Sequence, residues 1–165
     1  MTTHTLQGAL HVERSIIINR SPEELYRFWR DFSHLPECLQ HLQRVDVRDD
    51  RHSHWVTKAP GGTTVEWDAE IINEVENELI AWQSVGDTHV PNAGSVRFMP
   101  AEQGATEVRV TLNYDPPGGK IGEIIAKVFG ESPDQQVRDD LRRFKQLMET
   151  GELATIEGQP RGTCK

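Results

Sequence analysis

The residues whose types could carry acid–base or metal chemistry are His34, His41, His52, His54 and His89, together with the acidic run Glu66, Asp68 and Glu70. His52 and His54 are two apart, so a strand places both on one face. With Ser53, Trp55 and Thr57 as the opposite set, the histidine face reads as the outer one. No carboxylate or thiol completes a ligand set with them at recognisable spacing, so they read as surface histidines and no metal is expected. His41 lies beside an apolar stripe and is the histidine expected to be half-buried. Glu66, Asp68 and Glu70 alternate with Val65, Trp67, Ala69 and Ile71, which puts all three acids on the solvated face of a strand. Arg97 and Arg109 are expected to pair with these acids across the sheet. CxxC, HExxH, a phosphate-binding P-loop and GxGxxG are all absent, and no cofactor is expected.

Chemistry on an apolar molecule would need ionisable groups pointing inward, and few are expected there. Arg14 in the first strand and Tyr114 at the end of the last are the candidates for proton transfer. A buried arginine needs a partner, which the sequence does not identify. The tryptophans Trp29, Trp55, Trp67 and Trp82 could line a pocket for a flat, conjugated ligand, with Phe98 and Tyr114 beside them. The competing account is ordinary core packing, because large aromatic side chains dominate buried area in any domain. Ile121, Ile124, Ile125, Val128 and Phe129 form a short amphipathic stretch with Gly118-Gly119 before it and Gly130 after it. Glycines at both ends suit a lid over a cavity mouth.

The elements that must position these residues follow from periodicity. Leu10 to Asn19 reads as a strand rich in β-branched residues. Ser21-Pro22-Glu23-Glu24 is a helix start with Ser at the N-cap, Pro at the first position and Glu three residues on. Leu25, Phe28, Trp29 and Phe32 follow at helical spacing. Ser33 opens a second short helical segment with Leu35, Leu39 and Leu42 on one stripe. From Val45 to Tyr114 the period changes to two and yields six further strands, seven in all, with short connections that imply a meander. Ser132-Pro133 starts a long helix with the apolar stripe Val137, Leu141, Phe144 and Met148, and Gly151 is its expected C-cap.

The chain has 165 residues and a formal net charge of −8, which repels phosphate backbones and argues against nucleic-acid binding. No run is long and apolar enough to span a bilayer. The polar Met1–Gly8 segment lacks the apolar core of a secretory signal. Cys38 and Cys164 make a poor disulfide framework, and a cytoplasmic setting is the simpler expectation. One domain is expected over residues 8–150, with a mobile tail at 151–165.

The order strand, two short helices, six strands, long helix leaves too much apolar sheet for one helix to cover. An apolar cavity is therefore expected between sheet and helices. This order resembles the helix-grip fold of START-like proteins: an α+β domain whose curved seven-stranded antiparallel sheet wraps a long C-terminal helix. Ile18-Asn19-Arg20-Ser21-Pro22-Glu23-Glu24-Leu25-Tyr26, Phe32-Ser33-His34-Leu35-Pro36, Val65–Ile71, Asn92–Phe98 and Asp139–Lys145 resemble bacterial members of the polyketide cyclase/dehydrase family, which also includes coenzyme Q-binding proteins. The resemblance implies a small apolar ligand such as a polyketide, quinone or lipid. It leaves three roles open: a binding or carrier protein, an aromatase/cyclase, and an interaction module with a vestigial cavity.

Overall fold

The computed structural model describes residues 10–59, 62–86, 91–114 and 133–151. Seven strands form one antiparallel sheet: β1 (Leu10–Ile18), β2 (Leu42–Val47), β3 (His52–Ala59), β4 (Thr63–Val75), β5 (Leu79–Val85), β6 (Asn92–Pro100) and β7 (Thr106–Tyr114). Strands β2 to β7 are a meander, and β1 joins at the far side by pairing with β7, giving the order β1-β7-β6-β5-β4-β3-β2. The sheet curls into a half-barrel around a C-terminal helix. Two bulges interrupt the ladder, one between Leu42 and Arg44 and one between Ile71 and Asn73. A bulge bends its strand and increases local twist, which lets the 13-residue β4 follow a curved path.

Helix α1 (Pro22–Arg30) begins where the sequence places it. Ser21 Oγ accepts from the Glu24 amide at 3.3 Å, and the Glu24 carboxylate accepts from the Ser21 amide, so both halves of a capping box are present. The second helical segment departs from expectation. It is a 3₁₀ helix over Phe32–Glu37, held at its start by the Asp31 carboxylate, which accepts from the Ser33 amide at 3.1 Å. Pro36 supplies no N–H, which disfavours a continued α-helical ladder. Leu42, expected on this helix, instead opens β2, and the residues between form a compact turn.

Helix α2 (Pro133–Thr150) buries Val137, Leu141, Phe144 and Leu147 against the sheet, with Met148 at the margin. Gly151 closes it with φ of +81° and donates to Leu147 O at 2.7 Å, the left-handed cap that glycine tolerates best. Its C-terminal half is tied to the end of β1 and the residue after it: Lys145 Nζ donates to Ile17 O at 2.8 Å, and the Asn19 amide donates to the Glu149 carboxylate at 2.7 Å. Phe144 is fully buried, with its ring 5.5 Å from Phe28 and 5.2 Å from Trp29. The inner face of the sheet therefore meets both helices in one aromatic core.

The acidic strand face also differs in its partners. Glu66 and Asp68 are exposed, as their alternation predicts, but neither pairs with Arg97 or Arg109. His54 on β3 is the nearer neighbour, with Nε2 2.8 Å from Glu66 and Nδ1 2.8 Å from Asp68. Arg109 lies on β7, which the sheet order separates from β4, and it pairs with Glu107 and Glu13. The two carboxylates raise the His54 pKa above its ordinary value, Asp68 contributing most.

Candidate functional site

The inner face carries three tryptophans from consecutive strands. Trp55 of β3 and Trp67 of β4 are direct register partners, and their rings lie 6.3 Å apart at 16°. Trp82 of β5 lies 6.0 Å from Trp55 at 23°. Phe32 meets Trp55 and Trp82 edge-on at 5.3 and 5.5 Å, which fixes the stack from the helical side. Trp55, Trp67 and Trp82 form one wall of an apolar cavity of about 50 Å³.

Other elements complete the enclosure. Trp29 comes from α1, and Leu35, Leu39 and His41 come from the 3₁₀ segment and the turn after it. Asn92 and Tyr114, register partners on β6 and β7, close one end, while Val137, Asp140 and Leu141 descend from α2. A larger cleft of about 580 Å³ lies outside, beside α1 and the β2–β3 turn. Its walls are charged, and Arg30 there already binds Glu74 at 2.7 Å. The smaller cavity is the better candidate because its walls are mainly apolar and it collects few polar groups, as small-molecule sites do.

One corner of the cavity is polar. Asp140 is 3% exposed, and its Oδ1 accepts from the Gln40 amide at 3.2 Å and from Gln136 Nε2 at 3.0 Å. Its Oδ2 lies 3.2 Å from His41 Nδ1. His41 is thus half-buried as expected, and Asp140 is an inward ionisable group that the sequence reading did not name. The signal was present: Asp140 stands three residues after Val137 and four before Phe144, inside the apolar stripe of α2.

The remaining expected site residues divide. Trp29, Trp55, Trp67, Trp82 and Tyr114 all line the cavity. Burial pushes the Tyr114 phenol well above its ordinary pKa, so it stays protonated. Phe98 is buried away from the cavity, edge-on to Tyr26 and Trp29 at 6.0 and 6.5 Å. Arg14 faces α2, where its guanidinium pairs with both carboxylate oxygens of Asp134, the partner that the sequence did not identify. That pair tethers helix to sheet and does not line the cavity. Ile121, Ile124, Ile125, Val128 and Phe129 lie outside the described residues, as do His89 and the segment after Gly151.

Two indole nitrogens stand out. Trp55 Nε1 donates to Ser53 Oγ at 2.9 Å. Trp29 Nε1 and Trp67 Nε1 are buried, and neither has a hydrogen-bond partner among the described residues.

A half-barrel closed on a helix, with apolar space between, defines a helix-grip protein of the START-like class. The chain belongs to the family described as polyketide cyclase/dehydrase and lipid transport, whose model matches residues 18–142. It is 31% identical over 140 residues to an uncharacterized 17.2 kDa protein of Streptomyces lincolnensis, covering 84% of this chain and 89% of that one. Its fold is similar to that of DR_A0006 from Deinococcus radiodurans, with TM-score 0.71, 38% identity, and coverage of 87% and 99% of the two chains. A START superfamily protein from Mycobacterium smegmatis shares the fold at 14% identity and TM-score 0.65, covering 84% of this chain and 98% of that one. No helix among the described residues is long and apolar enough to cross a membrane.

Proposed function

We propose that the protein binds or carries a small apolar molecule, a polyketide, quinone or lipid, between the tryptophan wall and α2. The observation that carries this reading is the cavity itself: Trp29, Trp55, Trp67 and Trp82 converge on one mainly apolar space, to which His41, Asn92, Tyr114 and Asp140 add a few polar groups. Exclusion of water from the ligand would be the source of affinity, since each apolar Å² removed from water contributes about 25 cal/mol. The space of about 50 Å³ is small beside the ~150 Å³ cavity that admits benzene, so a ring-sized ligand must displace part of the wall as it enters.

Native mass spectrometry of freshly purified protein tests this reading. A co-purified small molecule, released on denaturation, is the expected result. A bare polypeptide that also fails to take up a neutral apolar fluorescent probe such as N-phenyl-1-naphthylamine would remove it.

A second reading is an aromatase/cyclase that closes rings on a poly-β-ketone chain with loss of water. One observation favours it: Asp140 and His41 bring a carboxylate and an imidazole to the cavity wall, the residue types proton transfer requires. Under this reading His41→Gln abolishes turnover of a poly-β-ketone thioester and leaves its binding intact. A carrier shows no turnover in either protein.

A further inference from the structure

We propose that Gly94 and Trp82 together set the size limit of the ligand: Trp82 forms a floor of the cavity, and the missing side chain at residue 94 decides how deep that floor lies. The inference rests on the reading of the cavity as a ligand site, and it adds which molecules that site admits.

The relationship is built into the sheet. Gly94 stands on β6 between Trp82 of β5 and Leu112 of β7, its register partners on either side. It is buried, and it shares the inner face of β6 with Val96 and Phe98, two and four residues on. Trp82 and Leu112 both line the cavity, as do Asn92 and Tyr114. A Cβ at residue 94 would stand 2.6 Å from Cζ2 and 2.8 Å from Cε2 of the indole, and 3.0 Å from Leu112 Cδ2. Two wall side chains therefore occupy the space that any other residue at this position would fill.

An indole lifted from residue 94 has one direction open to it. The β6 backbone lies beneath it, the Trp55 ring stacks at 6.0 Å, and Phe32 meets it edge-on at 5.5 Å. Close-packed interiors do not absorb an added methyl group. The free side is the cavity, which holds only about 50 Å³. A side chain at residue 94 would thus raise the floor into the ligand space, and the loss falls first on bulky ligands. A smaller ring at residue 82 would lower the floor and favour them.

Two neutral apolar probes of different bulk test this: toluene, with one ring, and N-phenyl-1-naphthylamine, with three. The quantity read is the ratio of their dissociation constants, because partial unfolding weakens both in the same proportion and leaves the ratio unchanged. Wild type, Gly94→Ala, Trp82→Phe and the double variant Gly94→Ala/Trp82→Phe are compared at low temperature. Gly94→Ala should shift the ratio toward toluene by about tenfold, within the range that forcing a methyl group into a filled space costs. Trp82→Phe should shift it toward the larger probe. The double variant should fall back from Trp82→Phe toward wild type, as alanine takes up the space that the smaller ring leaves.

Uptake of toluene alone by wild type, with the larger probe gained in Trp82→Phe, supports the size limit as well. One ratio shared by all four proteins overturns it and leaves the apolar site standing. If Gly94→Ala does not fold, the other three proteins decide: a Trp82→Phe variant with the wild-type ratio overturns it, and so does a double variant with the same ratio as Trp82→Phe. Wild type that binds neither probe removes the ligand site, and the size limit falls with it.

Discussion

Trp82 of β5 lies flat against Gly94, its register partner on β6: a Cβ at residue 94 would stand 2.6 Å from the indole Cζ2 and 3.0 Å from Leu112 Cδ2. The indole can occupy the inner face only because residue 94 has no side chain. Gly94→Ala should therefore push Trp82 toward the cavity and lower stability by roughly 1–3 kcal/mol, as overpacking does. A thermal melt with the near-ultraviolet circular dichroism of the tryptophans checks it. A variant that matches the wild type in both shows that Trp82 does not rest where described.

Phe144 is the packing centre of α2, buried against Phe28 and Trp29. Phe144→Ala should cost roughly 3–5 kcal/mol and reduce ligand binding only in proportion to the unfolded fraction. Denaturant unfolding measures the first effect and titration at low temperature the second. An unmoved midpoint would mean that α2 does not pack on the sheet.

Asp140 holds α2 to the turn before β2 through Gln40, is held in turn by Gln136 of the same helix, and stands beside His41. Asp140→Ala leaves the Gln40 amide without its acceptor and should cost about 1.5–3 kcal/mol, the range for hydrogen bonds to a charged group. Amide hydrogen exchange at Gln40 should accelerate with it. Unchanged exchange there would show that the carboxylate does not hold the turn.

The acidic face of β4 points to solvent, so Glu66→Gln, Asp68→Asn and Glu70→Gln together should leave ligand affinity unchanged. Their effect should fall on pH dependence through His54. Its folded pKa is raised above 6.5, so the stability it contributes is complete below about pH 6.5 and is lost as pH rises through the folded value. Wild type should exceed the triple variant by about 0.2–1 kcal/mol near pH 6 and converge with it at higher pH. Melts at several pH values read the difference. A gap that widens with pH, or a loss of ligand binding, would place these side chains on the wrong face of the strand.

Acid should weaken the α1–β4 contact. Tyr26 and Arg30 both donate to Glu74 at 2.7 Å, and these bonds hold its carboxyl below the usual glutamate pKa. Its contribution is present above the unfolded value near 4.5 and is lost as pH falls through the folded one. Glu74→Gln should narrow the difference in melting temperature between pH 6 and pH 3. An identical difference in both proteins would show that Glu74 is not tied to α1.

Much of the fold could be read from local patterns. A period of two along Val65–Ile71 decides which side chains face the core, because successive residues on a strand point to opposite sides. Ser21, Pro22 and Glu24 set the start of α1 through bonds that close within four residues. Glycine at the end of α2 stops it for an equally local reason. The same count places Trp67 and Trp82 inward, and both reach the cavity together with Trp29 and Trp55.

Other features depend on distance in space. The 3₁₀ geometry after α1 and the early start of β2 at Leu42 escape helical spacing, because leucines on a stripe and leucines on a turn look alike until the chain has packed. Arg14 and Asp134 meet only because β1 pairs with β7 and α2 crosses the sheet. Gln40 and Asp140, 100 residues apart, meet for the same kind of reason. The sequence by itself determined most of the strands, the start of α1, the end of α2 and the inward face of β4. Only the tertiary structure decided which inward groups find partners, leaving the indoles of Trp29 and Trp67 without one among the described residues while Trp55 has Ser53, because a hydrogen bond depends on where distant atoms come to rest.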